Sequence, residues 1–431
     1  LATVWSVWFS PTKVAFVNWQ ISELGQISKS NDSRSVKISE LPADRLHEAG
    51  RYDMVFVNGM GLRITADQRE ELGRAAGKGL PVVTIAATNP ANNIVSLDSA
   101  DFAAVRGYIA GGGRTNYRNM LRYVRRNIDG KVFRTSEPAP PVERTYCMLY
   151  HPDPSDPENE DLGFNSVEQY EKFLRDNGLY RENAPSVVIT GQMGEPSELI
   201  RRLEQTGNMV WPVRFSRTFF RGGHADSIDV SAVINMAHGR MGYWMVDYLE
   251  EKNIPLFAPL NVNSLVEDWE NDPMGMNGGF LSQSVVTPEI DGALRPFVLF
   301  GNYVNEDDGL QYLRAIPERL GHFVNTVNNY ISLGRKDNSE KKVAICYFKG
   351  PGQSALTAGG MEVVPSLYNL LVRMREEGYD VSGLPSSAEE LGKMIQSRGS
   401  IFGSYAEGAM ERFIRTADPE IIGPAEYSEW A

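Results

Sequence analysis

Residues 228–300 read IDVSAVINMAHGRMGYWMVDYLEEKNIPLFAPLNVNSLVEDWENDPMGMNGGFLSQSVVTPEIDGALRPFVLF. The run from Val230 to Met236 is apolar and β-branched, and it gives way to the polar turn His238-Gly239-Arg240. A helical stretch follows, then a second strand over Pro255 to Leu260, a Trp-bearing segment, and Pro288-Glu289-Ile290-Asp291-Gly292. Strand, turn, helix and strand in that order make the crossover unit of a parallel sheet covered on both faces. Such sheets collect ligands beyond the carboxyl ends of their strands, which directs attention to the turn at 238–240.

The same unit recurs on either side. Upstream, Val14 to Asn18, Tyr52 to Asn58 and Leu80 to Ala86 read as buried strands, with helical spacing over Ala66 to Gly77. Phe102 to Ile128 reads as helix interrupted at Gly111-Gly112-Gly113, and Glu137 to Pro141 as a proline-rich linker. Beyond it come strands over Arg144 to Tyr150, Ser186 to Thr190 and Met209 to Phe215, with helices over Ser166 to Asn177 and Glu198 to Gln205. Downstream, Gly309 to Leu333 has the spacing of a long amphipathic helix, and Lys342 to Phe348 that of another strand. The expected organisation is an arm or membrane-anchor remnant at 1–12, an α/β domain at 13–136 and a second at 142–305. A long connecting helix at 306–335 and the start of a third α/β domain at 340–431 complete it.

A chain of 431 residues exceeds one ordinary core, which agrees with several domains. Forty-three basic against 55 acidic residues give a net charge of −12, and no basic patch stands out, so no nucleic-acid partner is expected. Cys147 and Cys346 sit far apart in apolar runs and offer neither a disulfide framework nor a CxxC metal site; both read as buried thiols. Leu1 in place of Met reads as a processed or excised piece. The segment LATVWSVWF is too short to cross a bilayer, but it suits the end of an anchor with Trp5 and Trp8 at the interface, or else a packed arm.

Several motifs bear on chemistry. No GxxxxGK[ST] loop occurs, so no ATP site is expected in this chain. The glycine-rich loop from Lys349 to Gly360, with Gly352 near its start, lies between a strand and a helix. Its backbone N–H groups could cradle an anion, or it could be a plain connection. His-Pro-Asp-Pro-Ser-Asp-Pro-Glu-Asn-Glu-Asp at 151–161 lacks the turn glycine of a calcium loop and reads as solvated. His224 lies in a glycine-loosened loop and His238 at a strand end. Imidazole ligates haem iron and exchanges protons near neutral pH, though either histidine could equally be structural. Glu289 follows the apolar run Val285-Val286-Thr287-Pro288, where partial burial would raise its pKa and suit it to proton transfer; it could also be a plain turn carboxylate.

Three stretches carry a family resemblance: VVTPEIDGALRPFVLFG, KNIPLFAPLNVNSLVEDWEND, and KKVAICYFKGPGQSALTAGGMEVVPSLYNLLVRMREEGYDVSGLPSSAEEL. In their order and spacing they resemble the large porphyrin-binding subunit of the cobalt and magnesium chelatases, the CobN/BchH family, over nearly all of the chain beyond Thr190. The resemblance implies successive parallel-sheet domains of flavodoxin or periplasmic-binding type around a tetrapyrrole cleft. Family chains are several times longer, so it also implies the N-terminal portion of a larger multidomain chain. It implies a catalytic role for Glu289 at the tetrapyrrole site; His238, from its strand-end position and its imidazole, is the second catalytic candidate and the candidate metal ligand. Binding roles are implied for His224, Met236, Arg240, Gln283 and Gly352.

Gly191-Gln192-Met193-Gly194 stands where the family often has an Arg or Ser-His pair. Met236-Ala237-His238-Gly239-Arg240 is lacking in many insertion-type members. Such ligands suit iron in haem better than magnesium. The likeness within the family is to the CobN-like haem-utilisation type, HmuS. The expectation is therefore removal of iron from haem, with an external reductant, in a cell-envelope or inner-membrane setting, otherwise a cytoplasmic one, and with membrane-transport partners. The alternatives are a cobalt or magnesium chelatase subunit working with separate ATPase subunits, and a haem-binding or relay protein without catalysis.

Overall fold

The computed structural model describes residues 8–33, 35–143, 146–156, 160–191, 194–237, 239–276, 278–346 and 360–398, with 407–408, 411, 414–415 and 422–430. The architecture is α/β. Strands β1 (Thr12–Val17), β2 (Val36–Glu40), β3 (Met54–Asn58) and β4 (Val82–Ile85) form an all-parallel sheet in the order β2-β1-β3-β4. Side chains alternate across it. Val14, Phe16, Met54, Phe56 and Val83 enter one core; Ala15, Val17, Val55, Val57 and Val82 enter the other. Helices Ile21–Lys29, Ser99–Gly111 and Gly113–Tyr123 cover the first face, and Leu72 of helix Ala66–Gly77 packs on the second. Phe16 and Phe56 stack with centroids 4.9 Å apart at the centre.

Strands β5 (Leu149–His151), β6 (Leu162–Phe164), β7 (Ser186–Thr190), β8 (Met209–Val213), β9 (Val230–Asn235), β10 (Leu256–Leu265), β11 (Ala293–Val304) and β12 (Gln311–Ala315) build a second sheet. Its order is β12-β11-β10-β9-β7-β8-β5-β6. The run from β8 to β11 is parallel, while β5, β6 and β12 pair antiparallel at the two edges. Val187, Ile189, Ala232 and Ile234 pack beneath helices Pro196–Gln205 and Pro317–Arg335. Val188, Trp211 and Val233 pack on the other face, beneath helices Val167–Asp176, Ser216–Arg221 and Tyr243–Lys252. Burial of both faces explains why the strands read as continuous apolar runs.

The structure corrects several expectations. Residues 309–333 are not one helix. Gln311–Ala315 is strand β12, antiparallel to β11, and the helix begins only at Pro317. The apolar spacing of Leu310, Leu313 and Ile316 suits a helix, but pairing with β11 makes the segment a strand that buries Leu313 and Ala315. Residues 341–346 show no strand, although 342–348 read as one; 347–348 lie outside the described residues. Cys147 is buried as expected, but Cys346 is exposed. Of the segment LATVWSVWF, residues 1–7 lie outside the described residues, and Phe9 stacks on Phe133 at 5.1 Å. Among the described residues no helix is long and apolar enough to cross a membrane.

The chain divides into two compact units, one ending at Ile331 and one beginning at Ser332. The first holds both sheets. They are tied by the β11–β12 hairpin, whose Leu310 enters the core of the first sheet while Lys29 lies 5.1 Å over the Tyr312 ring. A Cβ on Gly25 would stand 2.8 Å from that of Tyr312, so the helix Ile21–Lys29 can sit this close to β12 only with glycine there. The second unit contains helices Val363–Glu376 and Ala388–Arg398, packed on each other.

Candidate functional site at the carboxyl ends of the second sheet

Strands β7 and β9 each end on a polar residue. Thr190 Oγ1 donates to Asn235 Oδ1 at 2.8 Å, and both side chains are buried. The chain leaving β9 then folds over the chain leaving β7. Met236 N donates to Thr190 O at 2.7 Å, and Gly191, with φ +81°, passes so close that a Cβ there would stand 2.3 Å from Ala237 N. Only glycine meets both demands at position 191.

Above these ends lies the segment Gly278–Ile290, wound as a helical turn, a wider π turn over Ser282–Val286, and a helical turn over Thr287–Ile290. It finishes at Asp291 and at Gly292, whose φ of +89° redirects the chain into β11. The Asp291 carboxylate is wholly buried and both its oxygens are occupied. Oδ1 accepts from Arg240 Nε, and Oδ2 accepts from Met241 N at 2.7 Å. A buried carboxylate without partners would be very costly, so this arrangement holds the PEIDG turn against the turn after β9. The Arg240 side chain remains half exposed. Two apolar side chains flank this clasp in the open: Tyr243 at 81% exposure and Ile290 at 63%.

Beneath the segment is a cavity of about 30 Å³, bordered by Asn235, Met236, Pro259, Phe280 and Pro288. That is room for one or two waters. A cleft of about 780 Å³ lies elsewhere, near the amino ends of the first sheet's strands, with Asp53, Arg74, Lys78 and Asp129 on its walls. Its size would suit a large ligand, but its charges are mixed and it stands at the end of the sheet opposite to where α/β folds hold ligands.

The expected site residues separate into groups. Arg240 and Gln283 come together at the clasp: Gln283 Oε1 is 3.5 Å from where a Cβ on Gly239 would be. Met236 is 3% exposed and packed in the core; it borders the small cavity but is not open to solvent. Glu289 is exposed, which corrects the expected burial. On a single helical turn Pro288 takes the inward position, and the buried carboxylate of the motif is Asp291. His224 begins a 3₁₀ turn before β9, with its ring 6.2 Å from that of Phe219. Six residues of strand, roughly 20 Å, separate it from the carboxyl end, so it does not join the others. His238 and Gly352 lie outside the described residues. Among the described residues no group of three or more His, Cys, Asp or Glu side chains is placed to hold a metal ion. Thr190, Asn235 and the role of Asp291 escaped the sequence reading. Their signal was a polar residue closing an apolar strand, and an Asp before the Gly that opens one.

Residues 106–431 match the family described as CobN/Magnesium Chelatase. The H-type polypeptide of the Rhodobacter capsulatus magnesium chelatase is 24% identical over 326 residues, covering 66% of this chain and 26% of that one. The chloroplastic magnesium-chelatase subunit ChlH of Oryza sativa is 28% identical over 225 residues, covering 48% and 16%. The aerobic cobaltochelatase subunit CobN of Pseudomonas aeruginosa is 31% identical over 131 residues, covering 28% and 10%. Among solved structures, the catalytic subunit of cobaltochelatase from Mycobacterium tuberculosis aligns with a TM-score of 0.61 at 18% identity. The alignment covers 90% of this chain and 33% of that one, a likeness of fold. The chain thus spans between a tenth and a third of the length of these relatives.

Proposed function

The chain belongs to the CobN/magnesium chelatase family, and from that premise we propose that it is the tetrapyrrole-binding part of a chelatase-type enzyme. The observation that carries this reading is the clasp between Asp291 and the Arg240-Met241 turn. It assembles, at the strand ends, a face with a guanidinium, an amide (Gln283) and flanking apolar side chains. A flat, largely apolar macrocycle with charged substituents needs that combination. The cavity beneath is too small for a ring, since ligand pockets run to several hundred Å³, so the macrocycle would lie over the Gly278–Ile290 segment.

For the direction of reaction we propose removal of iron from haem. When the metal leaves as a dication, the ring dianion takes up two protons to form two pyrrole N–H groups. Glu289 would pass protons from water to the ring, a reading supported by its exposure two residues before the clasp carboxylate Asp291. His238, which follows Ala237 in the sequence, is of the residue type that ligates haem iron. Reduction by an external donor would weaken the hold of the ring on iron. The insertion direction has its own support in relatives named as magnesium chelatase and cobaltochelatase subunits, and it would require separate ATPase subunits.

Anaerobic absorbance of the full-length protein under reducing conditions, mixed with haem or with metal-free protoporphyrin, separates the two. Metal-free porphyrin growing in from haem, and not from haem with the His238→Ala variant, supports removal. Haem left intact while the metal-free ring binds tightly overturns it in favour of insertion. For the setting we propose association with the cell envelope, supported by the Trp-bearing apolar segment at residues 1–9; fractionation of the full-length protein checks it.

A further inference from the structure

We infer that Arg240 is a carboxylate receptor that selects tetrapyrroles by their acidic side chains, and that Asp291 is the positioning residue that aims it. This rests on the tetrapyrrole reading above and specifies which atoms recognise the ligand. A guanidinium is a planar fork with two usable edges, and it can hold two carboxylates at once. Asp291 occupies one edge through Nε. The terminal nitrogens donate to no described residue, and the side chain is half exposed while its partner is wholly buried.

The geometry is fixed from both sides. Asp291 cannot swing away, because its second oxygen is bound by Met241 N. The turns that bring the pair together depend on Gly239 (φ +77°) and Gly292 (φ +89°), one on each partner segment. Gln283 stands beside Gly239 as a second polar group on the same rim. Tyr243 and Ile290, each within three residues of a clasp member, supply the apolar surface that a ring would cover. Because Asp291 neutralises the arginine, the site does not draw in anions by net charge. It discriminates at contact, where an ionised carboxylate accepts charge-assisted hydrogen bonds that a neutral ester accepts only weakly, and therefore between an acid and its ester.

The test is fluorescence titration of the full-length protein with metal-free deuteroporphyrin and with its dimethyl ester, whose rings are the same. Wild type is expected to bind the diacid about tenfold more tightly, the scale of one charge-assisted hydrogen-bonded pair. Arg240→Ala should bring the diacid to the level of the ester and leave the ester unchanged. Arg240→Lys should recover part of the difference, since an ammonium supplies charge without the fork. Asp291→Asn should lower the preference while still accepting from Met241 N, and thermal unfolding confirms that each variant is folded. Equal loss of acid and ester in Arg240→Ala would make Arg240 structural and overturn the inference. Equal binding of acid and ester by wild type would overturn it while leaving the tetrapyrrole reading intact. Binding of neither by wild type would overturn both.

Discussion

The two sheets share one construction but finish their carboxyl ends differently. In the first sheet the loops close on one another with ordinary polar groups. Asn18 Nδ2 donates to the carbonyls of Asn58 at 2.8 Å and Met60 at 3.0 Å, and Thr88 Oγ1 donates to Gly59 O at 3.1 Å. No ionised side chain takes part in those bonds. In the second sheet the corresponding loops are joined by a buried carboxylate that holds an exposed arginine. The neutral closure is complete in itself, whereas the charged one leaves the terminal guanidinium nitrogens with no acceptor among the described residues. On the reading proposed above, the first sheet is scaffold at this edge and the second sheet carries the site.

The largest effect expected from this contrast is in the scaffold. Phe56→Ala removes a fully buried ring stacked on Phe16 and should lower unfolding free energy by about 3–5 kcal/mol in urea titrations. Ring binding by the molecules that remain folded should not change; a matching loss of affinity would erase the distinction between the sheets. Asp291→Ala comes next. It leaves Met241 N without its acceptor and should cost about 1–3 kcal/mol, and here ring affinity should fall together with stability.

A pair of glycines sharpens the contrast further. Gly61 and Gly191 follow strands in the two sheets, both with left-handed φ (+65° and +81°), but a Cβ meets nothing within 4 Å at Gly61 and the Ala237 backbone at Gly191. Gly61→Ala should cost only the left-handed penalty, about 1–2 kcal/mol. Gly191→Ala should cost more than that and also weaken ring binding by pushing the two loops apart. Equal costs in thermal melts would mean that the loop crossing is loose.

The smallest effect is titration of a scaffold carboxyl. Burial raises the pKa of Glu23, opposed by its hydrogen bond from the Tyr117 hydroxyl at 3.0 Å. A carboxyl whose folded pKa lies above its unfolded value opposes folding once it is ionised. Glu23→Gln should therefore stabilise the protein at neutral pH. The gain should shrink as pH falls through the raised value and vanish below the ordinary glutamate range. A constant difference across that window would show that burial does not govern this group.

The sequence disclosed what depends on local periodicity. β1, β3, β4, β7, β8 and β9 were legible because both of their faces are buried, which leaves apolar runs unbroken by polar residues. β2 was not, since Val-Lys-Ile-Ser-Glu is short and alternating, and neither was β12, whose apolar spacing suits a helix. At the site, Arg240 was recognisable in a polar turn at a strand end and Gln283 was expected only as a binding residue; the structure brings them together. Glu289 and Asp291 show the limit. The apolar residues before Glu289 suggested a buried carboxyl, but burial falls to Asp291, because its partner lies 51 residues earlier in the chain. No local pattern encodes such a pairing.

Strand β11 begins directly after the Asp291-Gly292 turn and ends at the hairpin that seats Leu310 among the side chains of the first sheet. It is hydrogen-bonded to β10 over residues 293–302 and to β12 over residues 300–304. At twelve residues it spans at most roughly 40 Å, with an irregularity at Arg295, whose φ is +52°. The clasp and the first sheet therefore sit at the two ends of one strand. Amide hydrogen exchange along β11 should slow or quicken as a single block when the clasp is cut, with the far end responding as strongly as the near one.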